Sequence, residues 1–192
     1  VYISSGTGAG QVRTISDYVG STKVATVSSA WTTTPDNTSV YELGALDITG
    51  TTTVSASGQN VTLANTSNDF RDAVIITGAD VELVDADTID LGASTISGEY
   101  DVLAKLGNIT QSGNLTVNNS KASVFETKAP NATITLNTAG LTNAFSGTVE
   151  LVTTGSSAHA SVDNGTTALE IAAGSSVGGD LTLVSGNALG IT

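Results

Sequence analysis

The chain has 192 residues, 18 acidic against 6 Lys and Arg for a formal charge of −12, and no Cys. So few basic residues leave no positive stripe to grip phosphates, which argues against nucleic acid as a partner. Without Cys there is no disulfide scaffold, zinc ribbon or thiol nucleophile, and apolar runs far shorter than the ~20 residues of a membrane helix predict a soluble chain without membrane insertion.

Thr, Ser, Asn and Gly fill 87 of the 192 positions, and 39% of residues are hydrophobic, mostly aliphatic. These polar residues are mediocre helix formers, so strands are expected throughout, while the aliphatic share argues for a packed chain. The chain does not begin with Met, and no charged-then-apolar signal precedes Val1, so a processed form or a piece of something longer is expected. Residues 1–43 read as a small β-module or cap: strands at Val12 to Ile15, Lys23 to Val27 and Ser39 to Leu43, a turn near Gly20, and another over Thr32 to Asp36. Trp31 is its expected hydrophobic anchor. The Gly6-Thr7-Gly8-Ala9-Gly10 string reads as a turn, because neither a helical pattern nor the Lys-Ser/Thr of a phosphate loop follows it.

From residue 44 onward short alternating patches recur, at Val61 to Leu63, Val74 to Ile76, Val81 to Leu83, Ile89 to Leu91, Tyr100 to Val102, Ile109, and Leu115 to Val117. Apolar positions two apart give the strand period. Patch starts seven or eight residues apart fit hairpins, or one coil of a three-faced parallel β-helix per ~21–24 residues; the β-helix is the preferred geometry. A longer similarity supports it. Val61 to Leu63 and Asn68 to Phe70 reappear as Ile134 to Leu136 and Asn143 to Phe145. Ile89 to Leu91 aligns with Leu169 to Ile171, and Ile96 to Val102 with Val177 to Leu183. Residues 44–113 and 114–192 therefore read as two copies of one multi-coil unit. The last residues match Leu106 to Thr110, where the first copy runs on into another strand, so the natural protein is expected to continue or to stack on a neighbour.

Ile48 to Val54, Asn60 to Leu63, Asn68 to Phe70, Asp90 to Gly98 and Gly107 to Gly113 resemble the repeats of large secreted bacterial exoproteins of the filamentous-haemagglutinin type, over about residues 45–192. That resemblance implies a right-handed parallel β-helix displayed outside the cell in adhesion or as a surface filament. Ser5 to Ile15, Lys23 to Val27 and Trp31 to Ser39 are similar to a module of phage structural and fibre proteins, which implies a virion fibre instead.

The densest acidic cluster is Asp80, Glu82, Asp85, Asp87 and Asp90. Hard oxygen ligands at alternating positions make these five the candidate calcium ligands, although the glycine-rich nonapeptide signature of calcium-binding β-rolls is missing and a solvated acidic face explains them too. A polysaccharide-cleaving β-helix enzyme needs two spaced acids with a basic residue near them. Acids here sit in most turns and only Lys105, Lys121 and Lys128 lie in the later coils, so no catalytic pair stands out and no enzyme is expected. His159, the single histidine, supports no triad and reads as part of a surface loop. Asn-x-Ser/Thr recurs at Asn37, Asn60, Asn65, Asn108, Asn114, Asn118, Asn131 and Asn164. In so Asn- and Thr-rich a chain, hydrogen-bonded ladders between turns are the expected use of such residues. The expectation is an all-β extracellular or cell-surface rod, with a virion as the alternative location. Its partners would be like subunits and a cell-surface or glycan receptor.

Overall fold

The computed structural model describes every residue except Gly20, Ser21 and Lys23, and every side chain of those residues except Tyr18 and Glu42. Among the described residues all regular elements are strands, and no helix is long and apolar enough to cross a membrane. The chain divides into two compact units, Val1–Gly44 and Ala45–Thr192.

In the smaller unit Tyr2–Ser5 pairs antiparallel with Val40–Glu42, and Ile15–Val19 with Val24–Val27. The strand expected at Val12 to Ile15 is divided between two partners. Positive φ at Gly6, Gly8 and Gly10 turns the chain back, so Ile3 donates to the Gln11 carbonyl at 2.9 Å and Arg13 to that of Val1 at 2.9 Å. Only beyond this does the chain join its second sheet at Ile15. The turn expected near Gly20, and Lys23 as a strand start, lie outside the described residues. Among the described residues of this unit Ile3 alone is a buried hydrophobic, and Trp31 is half-buried rather than an enclosed anchor.

The larger unit is a parallel β-solenoid of about seven coils. One face is a seven-stranded parallel sheet running from Val61–Leu63 through Val81–Asp85, Tyr100–Ala104, Ser123–Thr127, Thr148–Val152 and Leu169–Ile171 to Leu189–Ile191. Two further stacks form a ten-stranded sheet. They share the strand Val74–Gly78, whose Val74 pairs with Leu91 and whose Thr77 pairs with Thr95. Partners in the seven-stranded sheet run Val61, Val81, Tyr100, Ser123, Val149, so successive coils take 20, 19, 23 and 26 residues. The irregular lengths arise in turns, which stacked coils tolerate well.

Alternation builds the core. Tyr100–Ala104 points Tyr100, Val102 and Ala104 inward and Asp101 outward, so in-register stacking forms columns such as Leu63, Leu83, Val102, Phe125 and Leu151. Burying each such side chain stabilises by roughly 1.5–3 kcal/mol. Aromatics thicken the centre: Phe125 lies edge-on to both Tyr100 and Phe145, with centroids 5.7 Å apart in each pair. The segments aligned as copies fall on different faces. Val61–Leu63 belongs to the seven-stranded sheet and Ile134–Leu136 to the ten-stranded one, and Ile89–Leu91 and Leu169–Ile171 differ in the opposite sense. Every face asks for the same short strand with two inward apolar residues, so one sequence pattern suits any of them.

Candidate functional site

What the solenoid must do physically is keep its coils in register, and polar side chains at the corners do this on both sides of the wall. Inside, a side chain of the later coil accepts a backbone N–H of the earlier one. Asn68 Oδ1 accepts from Leu46 at 2.9 Å, Ser94 Oγ from Ile76 at 3.0 Å, Asn143 Oδ1 from Leu115 at 3.0 Å and Asn164 Oδ1 from Phe145 at 2.7 Å. All four are buried. The amide nitrogens complete the fastening: Asn68 Nδ2 donates to the Leu63 carbonyl at 2.8 Å, Asn143 Nδ2 to Leu136 at 2.9 Å and Asn164 Nδ2 to Ala168 at 2.7 Å. Gln111 and Asn143 also exchange two side-chain bonds, at 2.9 and 3.1 Å. The bonds to backbone atoms satisfy groups that a corner takes out of the strand ladder, which would otherwise be buried unpaired.

Outside, several bonds run the other way, with a side chain of the earlier coil accepting from the later one, although Ser146 Oγ accepts the N–H of Ser120 at 3.0 Å. Asn60 accepts the N–H of Asp80 at 3.2 Å, Asn108 that of Thr133 at 2.8 Å, Asn114 that of Thr142 at 3.0 Å and Asn131 that of Ser157 at 3.1 Å. His159 belongs to the same set, its Nδ1 accepting the N–H of Asp180 at 2.8 Å. Five of the Asn-x-Ser/Thr positions thus join coils, four outside and Asn164 within. Where corners cross closely, glycine is required: a Cβ on Gly113 would collide with the backbone of Ala93, and one on Gly107 with Thr88.

The outer side of the seven-stranded sheet is acidic. Glu82 stands directly opposite Asp101, and Glu150 shares their column one residue beyond Val124. Like charges on adjacent strands repel. The Asp101 carboxyl is held above its ordinary range by loss of water and then by the charges of Glu99, Glu82, Glu150 and Asp80. Among the described residues Arg71 pairs with Asp47 and Asp69, each at 3.0 Å, away from this face, and Lys128 pairs with Glu126, which points outward on the same sheet.

The five candidate calcium ligands do not converge. Strand alternation turns Glu82 outward and Asp85 inward, while Asp90 lies on another stack, opposite Thr110. Asp80 instead accepts the N–H of Glu99 at 3.0 Å, and Asp87 sits exposed in a turn. Among the described residues no three His, Cys, Asp or Glu are placed to hold a metal ion. Asp85 acts as an inner fastening: its fully buried carboxylate accepts Phe70 N–H at 2.8 Å and Asp87 N–H at 2.7 Å. Burial pushes its carboxyl up, against the pull of those two bonds. Sequence reasoning had no role for Asn68, Asn143 and Gln111. The usable signal was an Asn two residues before Phe, at Asn68-Asp69-Phe70 and again at Asn143-Ala144-Phe145.

This column of coils, closed by aliphatic side chains and fastened by corner amides, defines a β-solenoid repeat protein. Residues 9–77 and 78–152 each match the family described as Repeats of unknown function (DUF5649), and the chain belongs to that family. The first matched stretch spans the boundary between the two units at Gly44. Neither the curated proteins nor the solved structures contain a match to the chain.

Proposed function

We propose that the chain is a structural and adhesive fibre protein, a stiff solenoid rod that works outside the cell by stacking rather than by turnover. The observation that carries this reading is the uninterrupted parallel pairing from Val61 to Ile191, with buried amide fastenings between coils at Asn68, Asn143 and Asn164. Each coil then resists bending through backbone bonds, core contacts and buried polar bonds at once, which suits a load-bearing spacer. The acidic exterior keeps such rods apart in solution. Likeness of residues 45–192 to exoprotein repeats of the filamentous-haemagglutinin type favours a bacterial surface, with like subunits joining coil to coil and a cell-surface or glycan receptor as target. A virion fibre is the second reading, favoured by the opening segment, whose phage-like Trp31 to Ser39 string lies in a unit of its own. Negative-stain microscopy of the concentrated chain tests the fibre reading. Rods growing into filaments support it, and a monodisperse globular particle at every concentration contradicts it.

A further inference from the structure

Of the chain's 13 Asn, Asn164 alone is followed by glycine. Asn-Gly is the most labile asparagine linkage, because no Cβ on the next residue shields its backbone nitrogen from the amide carbon. Attack of the Gly165 nitrogen on Asn164 Cγ forms a C–N bond and closes a cyclic imide. The bond from Cγ to Nδ2 breaks, and Nδ2 leaves as ammonia with the proton that Gly165 gives up. Water then opens the imide at either carbonyl, giving Asp or an isoaspartyl residue whose main chain runs through the side-chain carbons.

In the folded chain every reacting group is tied down. Asn164 is fully buried, its Oδ1 accepts the Phe145 N–H at 2.7 Å, and its Nδ2 donates to the Ala168 and Phe145 carbonyls at 2.7 and 3.1 Å. The attacking nitrogen is engaged as well, the Gly165 N–H donating to Asp163 Oδ1 at 2.9 Å. The next coil clamps the same corner: the Asn164 N–H donates to the Val184 carbonyl at 2.9 Å, and the Gly186 N–H to the Gly165 carbonyl at 2.7 Å. Ring closure has to swing the side chain off Phe145 and Ala168 and strip Gly165 of its proton, so the coils must part first.

We infer that Asn164-Gly165 is a deamidation site gated by coil opening, at which hydrolytic loss of ammonia makes a transient separation of coils permanent. The product does not fit the closed corner. Asp85 shows a carboxylate at an inner corner, but there the chain presents the Asp87 N–H to it at 2.7 Å. At Asn164 the corner presents the carbonyls of Ala168 and Phe145, which an ionised acid cannot satisfy. The isoaspartyl product also lengthens the main chain where Gly186 crosses Gly165 too closely for a Cβ. The gating rests on coil geometry alone, so the presence or absence of filaments does not bear on it.

The test incubates the full chain at mildly alkaline pH and locates amide-to-acid conversion by peptide mass spectrometry. In guanidinium chloride strong enough to unfold the chain, Asn164 is expected to convert faster than every other Asn. In buffer its conversion is expected to be at least ~20-fold slower. At guanidinium concentrations below the unfolding transition, Asn164 conversion and hydrogen exchange of the Phe145 amide are expected to rise by the same factor, within about three-fold. Chain converted while unfolded and then returned to buffer is expected to exchange the Phe145 amide at least ~10-fold faster than the parent. Equal conversion in buffer and in denaturant, another Asn reacting first in the unfolded chain, conversion that stays flat while Phe145 exchange rises, or parent-like exchange after conversion overturns the inference.

Discussion

Asn143 Oδ1 accepts the backbone N–H of Leu115 at 3.0 Å from 28 residues further along the chain, while its Nδ2 donates to the Leu136 carbonyl of its own coil. One buried amide therefore ties two coils together. Truncation by Asn143→Ala leaves the N–H of Leu115, the carbonyl of Leu136 and the side chain of Gln111 short of partners inside the core. The expected cost is about 2–3 kcal/mol. Asn114→Ala removes an exterior bond to Thr142 that water can replace, and is expected to cost under about 0.5 kcal/mol. Urea unfolding of the two variants checks the contrast, and equal losses would show that the inner fastenings carry no special weight.

Tyr100 makes the opposite case. It is fully buried, and burial drives its hydroxyl's pKa far up against a weak opposing pull from the Ser94 hydroxyl, yet the phenol makes no hydrogen bond of normal geometry. Tyr100→Phe keeps the edge-on packing against Phe125 and removes the unpaired group, so it is expected to be neutral or to stabilise by up to about 1 kcal/mol. A clear loss on thermal unfolding would mean that the hydroxyl is satisfied in solution.

At Gly113 the limit is space. A Cβ there meets the backbone of Ala93 rather than a movable side-chain tip, so Gly113→Ala must separate two coils. A loss of about 2–4 kcal/mol is expected. Gly50→Ala, at a position where a Cβ meets nothing, serves as the control, and calorimetry of the pair reads the difference.

Asp101 on the acidic face and the buried Asp85 give the solenoid a pH dependence of definite sign. The carboxyls of Asp101 and Asp85 both lie above the ordinary 3.8 in the folded chain, so the folded state holds these protons more tightly than the unfolded one. That contribution is complete below the unfolded value of 3.8 and is lost as pH rises through the raised folded values. Asp101→Asn removes the repulsion with Glu82, Glu99, Glu150 and Asp80. Its advantage over the parent is expected to grow from acid toward neutral pH and to shrink with added salt. Chemical unfolding of both proteins across that range tests this, and an advantage that falls toward neutral pH would contradict it.

Much of the solenoid was legible because strand alternation depends on neighbours in sequence. Val81 to Leu83, Ile89 to Leu91 and Leu115 to Val117 all occupy strands where the period of two placed them. Ser123–Thr127 was harder to see, since it points Ser123 and Thr127 inward on either side of Phe125 and so lacks a clean apolar alternation. Which face a patch joins, and whether Asp85 or Asn143 turns inward at a corner, depends on a coil some twenty residues away. Local pattern does not encode that. The acidic cluster misled for a related reason: Asp80, Glu82, Asp85, Asp87 and Asp90 are close in sequence, but the strand and the corner after it send their side chains in different directions.

Parallel, in-register stacking underlies the solenoid's core and its fastenings, and one distance series tests it most directly. The chain has no Cys, so nitroxide labels can be placed at will on the outward column of Thr62, Glu82, Asp101, Val124 and Glu150. With strands about 4.8 Å apart, backbone separations of about 14 Å from Thr62 to Val124 and about 19 Å from Thr62 to Glu150 are expected, with the label distances rising by one strand spacing between the two pairs. Distances that do not increase along the series, as hairpin pairing would give, would contradict the solenoid.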